Sequence, residues 1–67
     1  MKYKKLYELR TKNKLSMADI AKKIKISTPY YCQLENKQKR LSYEMALKIA
    51  TALNTKPDDL FYDEYKN

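Results

Sequence analysis

Apolar side chains in this sequence return every three or four positions with polar ones between them, and nowhere do the two kinds alternate strictly over a strand's length. That spacing predicts helices only. Residues 2 to about 13 turn Tyr3, Leu6 and Leu9 to one side and lysines to the other, and stop at Asn13, a residue that tolerates a left-handed backbone. Ser16 opens a second helix running to about residue 24, with Asp19 at the capping-box position and Ile20, Ala21 and Ile24 on one face. A third runs from Ser27 or Thr28 to about Asn36. Its Pro29 falls in the first turn, where a missing N–H costs nothing, and Tyr31 and Leu34 point inward. Ser42 caps a fourth in which Ala46, Leu47, Ile49, Ala50 and Leu53 are apolar around much of the circumference, so it is expected to be the buried centre. Asn54 ends it. A fifth opens between Thr55 and Pro57, with Asp58 and Asp59 complementing its positive end and Leu60 and Phe61 facing inward.

The expected fold is all-α: a compact bundle of five helices forming a single domain over residues 1–67. At 67 residues such a core is only marginally stabilising, which makes a second subunit physically attractive. Helices two and three are joined by Lys25, Ile26 and Ser27 alone. So short a link prevents antiparallel packing and makes the two cross steeply. The crossing wants a left-handed residue at Lys25, where a non-glycine costs about 1 kcal/mol, and the chain contains no glycine at all.

Charge sharpens the picture. Residues 1–40 carry twelve Lys and Arg against three acids, and residues 41–67 carry three against five, so the surplus of +7 is concentrated in one half. An anionic partner follows, either nucleic acid or a membrane surface. The membrane is disfavoured because the lysines do not line one continuous amphipathic helix, and no apolar run is long enough for a signal sequence or a span. With one cysteine, Cys32, and no histidine, neither an internal disulfide nor a zinc site is expected, in keeping with a cytoplasmic protein. Asp58, Asp59, Asp63 and Glu64 lack the alternation around a glycine turn that a calcium loop needs. There is no activated nucleophile and no glycine-rich phosphate loop. The chain is therefore not read as an enzyme, and no metal, cofactor or small-molecule ligand is expected.

The third helix stands apart. With Tyr31 and Leu34 inward, Thr28, Pro29, Cys32, Gln33 and Asn36 share the opposite stripe, which is uncharged in a chain that is 34% charged. Small neutral side chains let a helix sit deep in a major groove roughly 12 Å wide. Gln33 suits adenine N6 and N7, Thr28 donates or accepts, Pro29 suits a thymine methyl, and Cys32 is small enough to approach base edges. Before the helix come Lys22, Lys23 and Lys25, and after it Lys37, Lys39 and Arg40, placed to meet phosphates. Backbone N–H groups at the Ser16 and Ser27 helix starts add further anchors, and Tyr30 flanks the stripe as either a phosphate donor or a cover for the core edge. The bland reading of the stripe is a solvated face, but the other outer faces carry Lys or Glu.

The segment LSMADIAKKIKISTPYYCQLENKQKRLSYEMALKIATALNTKPDDLF, residues 15–61, resembles the phage-repressor and Cro-type (XRE-like) helix-turn-helix family. The likeness lies in Leu15-Ser16, Ala21 at the helix crossing, Leu34-Glu35-Asn36, the run Ala46 to Leu53, and Asp58 to Phe61. It implies a lambda-repressor-like domain whose third helix enters the major groove of double-stranded DNA. It also implies an ion pair between Arg10 and Glu35, with phosphate contacts that include Asn36. The family commonly has Gln where Met17 stands, at a contact position opening helix two, and Gly where Lys25 and Lys37 stand. Its two-fold dimer contact often lies at the domain's end, which here carries Leu60, Phe61, Tyr62 and Tyr65. The implied function is that of a sequence-specific transcriptional regulator: a repressor of phage or mobile-element type that binds a pseudo-palindromic operator as a homodimer. The alternative is a protein-interaction module such as an antitoxin or anti-repressor target.

Overall fold

Three serines start three of the helices in the same way. Ser16, Ser27 and Ser42 each sit in extended backbone and accept, through Oγ, the amide N–H three residues on, at 3.0 Å from Asp19, 3.2 Å from Tyr30 and 3.1 Å from Met45. At Ser16 the box is closed by Asp19, whose Oδ2 accepts the Ser16 N–H at 2.8 Å. The computed structural model describes residues 2–65, with side chains described as far as Phe61. Its helices are α1 (Lys4–Lys12), α2 (Met17–Lys23), α3 (Thr28–Glu35), α4 (Tyr43–Ala52) and α5 (Pro57–Tyr65). No strand occurs among the described residues.

Four helices also end alike. After α1, α2, α3 and α4 the chain passes through one left-handed residue: Lys14, Lys25, Lys37 and Asn54, with φ of 58°, 61°, 61° and 57°. At each, that residue's N–H returns to a carbonyl three back, and the next N–H returns to one five back. Lys25 N–H thus reaches Lys22 O and Ile26 N–H reaches Ala21 O; Lys37 reaches Leu34 and Gln38 reaches Gln33. Orphan carbonyls at each helix end are satisfied by this reverse turn. Lys25 adopts the left-handed state expected from the short link, whereas Asn13 does not: its φ is −88°, and the left-handed step falls on Lys14. The Asn13 amide instead donates to Leu9 O at 2.8 Å, which prolongs the helical turn by one residue.

The core draws on every helix: Leu6, Ile20, Ala21, Tyr31, Ala46, Ile49, Ala50, Leu53, Leu60 and Phe61 form one cluster. Ala21, with 1% of its surface exposed, has the small side chain that the steep α2–α3 crossing requires. One expectation is corrected here. Leu47 is 45% exposed, because Ala46, Ile49, Ala50 and Leu53 already fill the inward stripe of α4 and position 47 falls outside it. Leu60 and Phe61 face inward as their spacing predicts, 4% and 0% exposed, which leaves them little surface for the contact between copies that the resemblance implies; the Phe61 and Tyr3 rings meet edge to face at 5.0 Å between centroids. The side chains of Tyr62 and Tyr65 lie outside the described residues. No helix among the described residues is long and apolar enough to cross a membrane.

The left-handed lysines carry strain that can be measured. Lys14→Gly is expected to raise unfolding free energy by about 0.5–1 kcal/mol in urea melts, since glycine adopts positive φ without a Cβ clash. Lys12→Gly, two residues earlier inside the helix, is expected to lower it by about 1 kcal/mol.

Candidate nucleic-acid interface

One buried carboxylate anchors the third helix. Glu35 ends α3 and is fully buried, and Arg10 on α1 grips it with both arms of its fork: Nε donates to Oε1 at 2.8 Å and Nη2 to Oε2 at 2.9 Å. The Tyr31 hydroxyl, one turn back on α3, donates to Glu35 Oε1 at 2.8 Å. The remaining arm of Arg10, Nη1, donates to the Leu15 carbonyl at 2.8 Å, just before α2. One side chain thus joins α1, the entrance to α2 and the end of α3. Among the described residues no buried side-chain nitrogen or oxygen lacks a partner. The Glu35 hydrogen bond and charge hold the Arg10 guanidinium above its ordinary pKa. Burial, with Glu35 beside it, pushes the Tyr31 phenol upward.

This frame turns the neutral stripe outward. Thr28 and Pro29 are exposed on the first turn of α3, and Cys32 and Gln33 are half-buried on the next. Asn36 caps α3, and its Nδ2 donates to the Cys32 carbonyl at 3.0 Å and to the Cys32 Sγ at 3.3 Å, so part of this amide is engaged within the chain. Lys22, Lys23 and Lys25, before α3 in the chain, and Lys39 and Arg40, after it, are exposed. Lys37 is half-buried, its ammonium 4.9 Å from the centre of the Tyr3 ring. Tyr30 is half-buried and Ser27 exposed, and the Tyr30 N–H is taken by the Ser27 cap.

The two helix starts differ electrically. No acid sits in the first turn of α3, whereas Asp19 lies in that of α2, its carboxyl held below the usual range by hydrogen bonds from the Ser16 amide and hydroxyl. The Ser16 N–H expected to meet a phosphate is therefore already satisfied by Asp19. Met17 packs against the core and offers no side-chain donor in place of the glutamine amide. No cluster of three or more His, Cys, Asp or Glu able to hold a metal ion occurs among the described residues.

Sequence patterning missed two participants. Apolar spacing marks Tyr31 only as a core residue, although its spacing of four from Glu35 places the two on one helix face. Tyr3 donates its backbone N–H to the Glu35 carbonyl at 3.0 Å, a long-range bond that no local pattern announces.

The helix-turn-helix family model HTH_3 matches residues 6–60. Among solved structures, the restriction-modification controller protein C.AhdI from Aeromonas hydrophila superposes with a TM-score of 0.81 at 36% identity, over 87% of this chain and 88% of that one. The clp gene regulator ClgR from Corynebacterium glutamicum gives 0.81 at 21% identity over 91% of this chain, which spans 79% of that chain in one structure and 65% in another. At that identity the likeness concerns fold alone. No curated protein matches.

Two measurements probe the buried network. Arg10→Met strands the Glu35 carboxylate and is expected to cost about 3–5 kcal/mol in chemical denaturation. Because the Tyr31 phenol is raised when folded, both states keep its proton below the ordinary tyrosine range; above about pH 10 the unfolded state alone releases it. Stability should therefore fall as pH rises past that point, and Tyr31→Phe should flatten the fall while lowering stability at neutral pH by about 1–3 kcal/mol.

Proposed function

This chain belongs to the helix-turn-helix family of the XRE type, whose members are DNA-binding transcriptional regulators, and from that premise we propose that it is a repressor working as a homodimer on a pseudo-palindromic operator. Two copies of α3, about 34 Å apart, enter successive major grooves and occlude a promoter. Thr28, Pro29, Cys32 and Gln33 read base edges. Lys25, Ser27, Tyr30, Asn36, Lys37, Lys39 and Arg40 meet phosphates, with Ser16 and Met17 at the border of the contact. The observation that carries this reading is the outward neutral stripe on a helix fixed by a buried ion pair and bordered by exposed cations. A solvated face would be expected to carry the Lys and Glu found elsewhere on this surface.

Dimerisation is supported by surface: Tyr43 and Leu47 on α4 remain 67% and 45% exposed. With Leu60 and Phe61 occupied in the single-chain core, Tyr62 and Tyr65 are the tail residues left for the contact.

The regulated genes are proposed to be of phage or mobile-element type. One observation favours a second setting: the 36% identity to a restriction-modification controller, on which reading the controlled genes belong to such a system.

Selection from a random DNA pool is expected to enrich a motif with two-fold symmetry. A pool without enrichment, together with capture of a cellular protein, would replace this reading by that of a protein-interaction module. Gln33→Ala is expected to reduce discrimination by about 1–3 kcal/mol at one base pair per half-site, whereas Lys39→Ala should weaken binding to all sequences alike, both read by competition titration.

A further inference from the structure

Three large apolar or aromatic side chains stay exposed among the described residues: Tyr7, Tyr43 and Leu47. The Tyr7 ring is attended by cations of its own chain, with the Lys2 ammonium at 4.0 Å and the Arg10 guanidinium at 5.5 Å from its centre. The other two lie on α4. There Glu44, Leu47, Lys48 and Thr51 follow the i, i+3, i+4, i+7 spacing of one helix face, opposite the inward Ala46, Ile49, Ala50 and Leu53, and all four are exposed. Beside this face runs a groove of about 760 Å³ between α4 and the turn that leads into α3. Ile24, Ile26, Leu47 and Ala52 give it an apolar lining, and its charged lining residues are all lysines.

We infer that this face of α4 is the two-fold contact of the homodimer. Two copies of α4 lie antiparallel, Leu47 against Leu47, with Glu44 of each opposite Lys48 of the other and each Tyr43 ring entering the other's groove. The inference rests on the homodimer reading and gives that dimer its place on the molecule. Charge selects a second copy as the occupant. A chain of net charge +7 repels its own kind, so a contact between copies needs its charges paired across it. Glu44 and Lys48, an acid and a base one turn apart, pair across an antiparallel two-fold, whereas a parallel one would set like against like. Lysines around the groove also suit the face of an entering aromatic ring. Ten residues of helix are about 15 Å long, too short to bury alone the roughly 800 Å² per partner of a standard interface, so the dimer is weak in solution and completed on DNA. Because the groove's far wall is the α2–α3 turn, the same contact bears on the spacing of the two recognition helices.

The test is sedimentation equilibrium of the full 67-residue chain over a concentration series. Leu47→Gln is expected to raise the midpoint concentration for dimerisation at least tenfold, with the melting temperature of the monomer unchanged because the side chain lies outside the core. Glu44→Lys and Lys48→Glu should each raise it too. Mixed in equal amounts, those two single variants should form a heterodimer at wild-type concentrations, since every cross-copy pair is then opposite in sign. Pairing within one helix cannot produce that recovery. Variants that all associate like wild type overturn the inference and leave the dimer reading standing, with its contact elsewhere, such as the end of the domain. Monomeric variants whose mixture stays monomeric overturn the antiparallel pairing. A wild type that is monomeric at every concentration, both free and on the DNA recovered by selection, overturns the inference and the dimer reading together, and leaves the α4 face to another protein.

Discussion

The bidentate grip of Arg10 on Glu35 is the constraint from which the rest of this molecule follows. A carboxylate with no solvent exposure is tolerable only with its charge opposed and its lone pairs occupied, and Glu35 has both conditions met by Arg10 and Tyr31. Such a pair is a poor source of net stability, since well-packed apolar residues in its place often do as well. Its value lies in direction. A planar fork accepts a carboxylate in few orientations, so the roll of α3 about its own axis is set by Arg10. That roll determines which residues face out: with Glu35, Tyr31 and Leu34 held inward, Thr28 and Pro29 emerge in solvent. Because the third arm of the same guanidinium holds the Leu15 carbonyl, the start of α2 is fixed relative to α3 by one side chain.

A second constraint is the absence of glycine. Four helix ends use a left-handed residue, and three of the four are lysines. Each accepts strain on the order of 1 kcal/mol that glycine would not, in a chain small enough for that to matter. Two effects offset the strain: a cation beside the negative end of a helix dipole is favourable, and an unfolded chain without glycine has less freedom to lose. The remaining return is charge in fixed places. Lys25 and Lys37 bracket α3, one before it and one after, each on a backbone held by two reverse-turn hydrogen bonds. In the proposed complex these are cations placed by the fold, where glycine would offer only an amide.

Helix number, order and starts were legible from the sequence, because serine caps, a first-turn proline and the spacing of apolar residues are local signals with local causes. The left-handed step at Lys25 was legible for the same reason, since a three-residue link leaves few alternatives. The left-handed step falls on Lys14, one residue beyond Asn13, as it falls one residue beyond the caps Ile24 and Leu53, so its place is set by the reverse turn and not by which residue tolerates positive φ best. Leu47 was assigned to the core on hydrophobicity, which cannot say how wide a stripe the neighbours will cover. Leu60 and Phe61 face inward as their spacing predicts and fill the gap beside α1 and α4; only the family resemblance pointed to them as a dimer contact. The contacts of Tyr3 were invisible for a plainer reason: its partners lie more than thirty residues away, and no pattern of period two or 3.6 encodes a meeting of that kind.

The electrostatics of the two helix starts bear on how a groove is approached. Each helix N-terminus presents about half a positive charge, and α2 and α3 both open on a serine cap. At α2 that half charge is overmatched by Asp19, a full negative charge held ionised by Ser16, so a phosphate approaching there meets net repulsion unless nearby Lys22 and Lys23 compensate. At α3 no acid intervenes. In the proposed complex the phosphate backbone is thereby drawn toward the start of α3, where Thr28 and Pro29 are exposed, and is held less tightly at the start of α2, at the border of the contact. In relatives whose second helix opens with a glutamine, an amide can hold that phosphate; here Met17 cannot. Affinity in the proposed complex must then rest more heavily on the cations around α3, which is consistent with lysine occupying both left-handed positions beside it.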